Sequence, residues 1–189
     1  MIKHIFGTAI SLIFKPSDAW AELKEKQADD KESFLSDYIY PFIGVITFVV
    51  FVGMLFTSKE ADVQIALKAA IMSLMSILGG FFLASYFVNE MWYKLFHRER
   101  DMKRCMCFVG YSSSLMFVLN ILLSLLPAFF FFRIFILYTI YIVWEGAVPY
   151  MDVKESEQLK FVSLSTTIII LTPLAIEFIL GLVMPGLKF

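Results

Sequence analysis

Long windows without a charged side chain alternate with short, charge-dense segments along this chain of 189 residues. No charge appears between Asp37 and Lys59, between Lys68 and Glu90, or between Arg104 and Arg133. A helix needs about 20 apolar residues to cross the hydrocarbon core of a bilayer. The first two windows therefore predict spans at 38–57 and 69–92. The third continues in apolar residues to about Tyr150, which is too long for one crossing at about 1.5 Å per residue and right for two. Pro127, near its middle, is the natural turn, and the two spans become 106–126 and 128–150. A fifth span is predicted at 161–184, interrupted once by Glu177. The predicted class is all-α: a polytopic membrane bundle of five transmembrane helices.

Residues 1–37 precede the first span and predict amphipathic interfacial helices. In 1–14 the polar positions Lys3, His4, Gly7, Thr8 and Ser11 recur at helical spacing, and Ile2, Ile5, Phe6, Ile10, Ile13 and Phe14 supply an apolar face. Such a helix lies in the interface plane. Lys15-Pro16-Ser17-Asp18 follows with no small-residue cleavage site, which argues against a signal peptide. A second short helix is predicted at about 17–27, with Trp20 and Leu23 toward the membrane. The alternative is that both helices dock on protein rather than on lipid.

Composition agrees with the pattern. Hydrophobic residues make up 59% and charged residues 17%, with 21 Phe, and mean hydropathy is +0.77. Soluble domains are typically about 45–50% apolar and about 25% charged. A net charge of −1 gives no basic footprint for nucleic acid. Lysine and arginine set the orientation. Twelve fall on the side of the N-terminus and of the second and fourth loops, including Lys94, Arg98, Arg100, Lys103 and Arg104. Four, namely Lys59, Lys68, Arg133 and Lys188, fall on the other. The expected N-terminus is cytoplasmic and the C-terminus outside.

Membrane helices that pack on others show small or polar stripes. Ser76, Gly80 and Ala84 form a small-xxx-small ridge on the second span, and Gly110, Ser113, Ser114, Asn120 and Ser124 share a face of the third. They predict a bundle with a partly polar seam, read as helix packing or, alternatively, as a solvated cavity. Charges inside spans are functional candidates by default. Arg133 and Glu177 lie at similar depth on antiparallel spans and are a candidate buried pair. Glu90 and Glu145, near the cytoplasmic ends of their spans, form a candidate inner-side polar cluster that meets the basic loop 97–104.

Catalytic signatures are missing from the sequence: it holds no GxxxxGK[ST], HExxH or GxSxG. His4 and His97 fall outside the spans, and Cys105 and Cys107 have too few neighbouring ligands for a metal. No catalytic residue, metal or cofactor is expected.

Two local patterns resemble the Yip1 domain family. Asp37-Tyr38-Ile39-Tyr40-Pro41-Phe42 opens the first span much as the family's D-x-Y-G-P signature does, with Tyr40 in place of the glycine and the tyrosine displaced. Cys107-Phe108-Val109-Gly110-Tyr111-Ser112 resembles the family's G-Y-S motif, without the proline that often follows. Leu137-Tyr138-Thr139-Ile140-Tyr141 through Gly146, Pro149 and Met151 looks like prokaryotic members, as does Lys15-Pro16-Ser17-Asp18-Ala19-Trp20. The resemblance covers nearly the whole chain and makes Asp37, Tyr40, Pro41, Gly110 and Tyr111 the family-motif positions. Eukaryotic Yip1-like proteins are linked to vesicle trafficking and bind small GTPases of the Rab type, usually through a longer hydrophilic N-terminal region. With only about 37 residues there, the chain resembles the prokaryotic branch, and trafficking is not carried over.

The expected function is that of a non-enzymatic integral membrane protein that binds protein partners or organises the lipid bilayer, in the inner membrane if the source is prokaryotic. The alternative is a small-solute or ion transporter or channel using the polar seam. Against it, the sequence shows no internal repeat and five spans do not divide into equal halves. A homo-oligomer would have to complete the pathway.

Overall fold

The computed structural model describes residues 2–27, 34–57 and 62–183. Among them there is helix and no strand. Two short helices come first, α1 (Ile2–Phe14) and α2 (Pro16–Gln27). A π-helical turn, Leu35–Ile39, leads into α3 (Tyr40–Thr57). The rest are α4 (Val63–Phe96), α5 (Met102–Ser112), α6 (Ser114–Leu125), a 3-10 segment (Pro127–Tyr138), α7 (Thr139–Ala147) and α8 (Glu155–Val183). Four helical stretches are long and apolar enough to cross a membrane unbroken: Leu35–Phe56, Val63–Phe96, Pro127–Ala147 and Glu155–Val183. The pair α5 and α6, bent by 41°, makes a fifth.

Local chemistry sets the boundaries. Asp62 caps α4 by accepting from the backbone N–H groups of Gln64 (2.7 Å) and Ile65 (3.3 Å). His97, with φ of 52°, closes the other end in the left-handed conformation, its N–H returning to the Trp92 carbonyl. Asp101 caps α5 through the Arg104 N–H at 2.9 Å. The bend between α5 and α6 falls at consecutive serines. Ser113 donates to the Val109 carbonyl (2.7 Å) and Ser114 to the Tyr111 carbonyl (2.5 Å). Serine hydroxyls that bond back to the preceding turn compete with the backbone ladder and bend helices. These are residues of the predicted polar stripe, and they break the span they line.

Leu126 leaves the helical region (φ −128°, ψ 70°) and Pro127 starts the next segment. That segment, 12 residues of 3-10 type, is kinked at Phe129 (φ −91°, ψ 27°), and none of its residues is buried.

α4 packs on α3, α5 and α8, and α3 also packs on α6. α7 packs on α8, α2 and α5, while α1 lies on α2, α5 and α6. α1 buries Ile5, Ala9 and Leu12 against protein and leaves Ile10 and Phe14 exposed. One N-terminal expectation is corrected. Trp20 does not face the membrane: it is fully buried within the protein.

Candidate functional site

Four segments far apart in sequence bring their aromatic rings together. α2 contributes Trp20, the π-helical turn with the residue before it contributes Phe34 and Tyr38, α5 contributes Phe108 and Tyr111, and the turn after α7 contributes Tyr150. The Tyr38 and Tyr111 ring centroids are 4.9 Å apart, and Phe34 stands edge-on to Tyr111 at 4.9 Å. Trp20 meets Tyr111 edge-on at 6.1 Å, Phe108 at 5.4 Å and Tyr150 at 4.9 Å. Tilted and edge-on pairs of this kind add stabilisation beyond the area they bury.

Two polar groups inside the cluster are bonded, while the Ser112 hydroxyl beside it is buried without a partner among the described residues. The Trp20 indole N–H donates to the Ile142 carbonyl at 2.9 Å. The Tyr38 and Ser114 hydroxyl oxygens are 2.6 Å apart. Ser114 has one proton and gives it to the Tyr111 carbonyl, so Tyr38 is the donor to Ser114.

Two glycines permit this closeness. A Cβ on Gly110 would lie 2.6 Å from a Phe34 ring carbon and 2.7 Å from the Ile39 side chain. One on Gly146 would lie 2.5 Å from the Trp20 indole.

At the rim of this cluster a polar clasp joins α2, α5 and the turn between α7 and α8. Asp152, at φ of 54°, adopts the left-handed conformation that Asp tolerates better than most residues. Its carboxylate takes Lys24 at 2.7 Å and Arg104 at 2.6 Å. Arg104 also donates to the Tyr150 carbonyl, through Nε at 3.0 Å and through Nη2. Partial burial pushes the Asp152 carboxyl upward, but the bonds from Arg104 and Lys24 outweigh it and hold the group below the usual aspartate range. Burial pushes the Tyr150 phenol well above its ordinary value, so it stays protonated.

The sequence-predicted residues divide. Gly110 and Tyr111 are in the cluster. Asp37 and Tyr40 point outward, and Pro41 is half-buried at the first turn of α3. The inward positions of that segment are Phe34, Tyr38 and Ile39. Alternation of buried and exposed positions around the segment could have found them, but the π-helical turn offsets the register expected of an α-helix.

Glu90 meets the basic loop through Arg100 at 2.8 Å and bonds Lys94 at 3.0 Å. Arg100 also lies 4.5 Å over the Tyr93 ring. Glu145 does not join Glu90. It sits beside Tyr141 on its own helix and forms no ion pair among the described residues. One turn of separation on α7 holds it near Tyr141, and Asp152 takes Arg104 instead.

The small-residue ridge faces α8. Ser76 donates to the Pro173 carbonyl at 2.9 Å. A Cβ on Gly80 would lie 2.8 Å from the Pro173 Cα, and Ala84 is buried. A cavity of about 20 Å³, lined by Gly80, Ala84, Ser113, Asn120, Ile169 and Pro173, lies where α4, α8 and the bent span meet. That is room for one water.

Arg133 and Glu177 are not brought together. Arg133 is on the 3-10 segment, which packs on α6 and α7, whereas α8 packs on α4 and α7. Span four leaves α8 as it passes from α7 into the 3-10 segment.

No curated protein and no solved structure matches the chain. The family model of the Yip1 domain matches residues 10–179. The match takes in the Trp20, Tyr38 and Tyr111 segments that build the cluster, and the apolar helices that carry them, so the chain is an integral membrane protein that belongs to the Yip1 domain family.

Proposed function

We propose that the protein is a non-enzymatic membrane scaffold whose cluster end faces the cytoplasm and binds a protein partner there. The observation that carries this reading is how the family-motif region is built. Trp20, Tyr38 and Tyr111 close on one another and bond internally, with glycines removing the last free space. Such an arrangement suits a rigid support and not a substrate pocket. What it supports is a surface of charged groups of both signs, where α2, the 97–101 loop and the turn near Asp152 meet. The excess of lysine and arginine on this end supports its cytoplasmic orientation, in the inner membrane if the source is prokaryotic.

The second reading, a small-solute or ion pathway along the seam, draws on Ser76, Ser113 and Asn120. The cavity among them, at about 20 Å³, is one water in size, so a pathway would need a large rearrangement or a second copy.

A photo-crosslinking residue at Glu99 or Lys103 in native membranes tests the first reading. A discrete protein adduct is expected at these positions and not at Phe130. Uptake or current in reconstituted vesicles, with no adduct at either position, would favour the pathway.

A further inference from the structure

Arg133 and Glu177 are charges inside apolar spans, and among the described residues neither has a counter-ion within the protomer. Arg133 stands six residues past Pro127 and Glu177 six before Val183. Both lie toward the same end of the bundle, Arg133 beyond the kink at Phe129 and Glu177 in the last turns of α8. Arg133 is exposed and Glu177 half-buried. They sit on two limbs that part from each other, because α7 packs on α8 and the 3-10 segment does not.

We propose that the protein self-associates through these limbs, with Arg133 of one copy paired to Glu177 of a second. A two-fold arrangement satisfies both charges twice, since an isologous interface repeats each contact. The exposed apolar side chains nearby, such as Phe130, Ile134 and Phe178, do not argue for a partner, because lipid covers them equally well. The charges do. An unpaired charge at this depth is costly. A lipid phosphate could answer Arg133, but Glu177 would need a cation at the same level. A second copy supplies both signs at the same end of the bundle and in equal number. Lys68, a further cation at this end among the described residues, is exposed in the second turn of α4. This inference concerns the membrane-embedded surface and is independent of any cytoplasmic partner.

The test uses the full chain in bilayers. Two differently tagged copies, one Arg133→Cys and one Glu177→Cys, are co-expressed and oxidised in the membrane. A mixed-tag disulfide dimer that needs both cysteines is expected. Single-molecule photobleaching in liposomes then reads the dimer fraction. Arg133→Glu alone and Glu177→Arg alone should each lower the association constant at least tenfold, and the combined reversal should restore it. Lys68→Glu with Glu177→Arg should not. Arg133→Gln and Glu177→Gln serve as milder variants should a reversal fail to fold. A wild-type chain that stays monomeric, no mixed-tag crosslink, or a combined reversal no better than the single ones would overturn the proposal.

Discussion

The two ends of this bundle are built by opposite rules. At the cluster end, helices α2, α5 and α7 and the π-helical turn interlock around buried rings, and the Trp20, Tyr38 and Arg104 side chains bond across it. At the far end, the 3-10 segment buries none of its residues, and the last turns of α8 expose Phe178, Ile179 and Leu182. Both ends hold large apolar side chains, so the presence of such residues does not separate them. The difference lies in what covers each surface. Protein covers one and hydrocarbon the other, and lipid accepts any apolar side chain whereas a close-fitting interior does not.

Exchanging large side chains for alanine at the two ends gives the sharpest contrast. Trp20→Ala removes a fully buried ring and leaves the Ile142 carbonyl without its donor. A loss of about 3–5 kcal/mol is expected. Phe130→Ala, at an exposed position of the 3-10 segment, should change stability by no more than about 0.5 kcal/mol. Unfolding of both variants in one detergent measures the gap, and equal losses would erase the distinction between the ends.

A smaller effect is expected on the seam that joins them. Gly80→Leu forces a side chain into the Pro173 backbone, and overpacking of this kind costs about 1–3 kcal/mol. Thermal stability in detergent is the readout. Behaviour like wild type would mean that α4 and α8 separate in the membrane.

The smallest effect comes from the clasp. Asp152 titrates below its unfolded value of about 3.9. Its contribution is therefore present above that pH and is lost as pH falls through the folded value. The side chain is 54% exposed, so the contribution is that of a screened surface pair, about 0.2–1 kcal/mol. Asp152→Asn should lower stability by that amount at pH 7 and reduce the loss seen on acidification from pH 5 to 3. If the acid limb is the same in both proteins, Arg104 holds the turn through the Tyr150 carbonyl alone.

Much of this arrangement is legible in the residues. Charge-free windows mark the apolar spans, Pro127 marks the break between α6 and the next segment, and the spacing of Ser76, Gly80 and Ala84 marks the face that meets α8. Each of these depends on short-range rules: a span length, a missing N–H, a period of about 3.6 residues. The same rules favour Asp37 and Tyr40 in the motif, since a pattern of residue types carries no inside or outside.

What the sequence by itself determined is an all-helical membrane protein, with its order of spans and its charge imbalance, because transfer into hydrocarbon depends on composition segment by segment. Only the tertiary structure decided that Trp20 turns inward, that Tyr38 finds Ser114 and Tyr111, and that Glu145 stays apart from Glu90. It also decided that Arg133 and Glu177 part company. Those outcomes depend on which faces of distant helices meet and on how a π-helical turn, a serine bend and a 3-10 segment rotate them. Such rotations are set jointly by all the neighbouring helices, and no single stretch of chain encodes them.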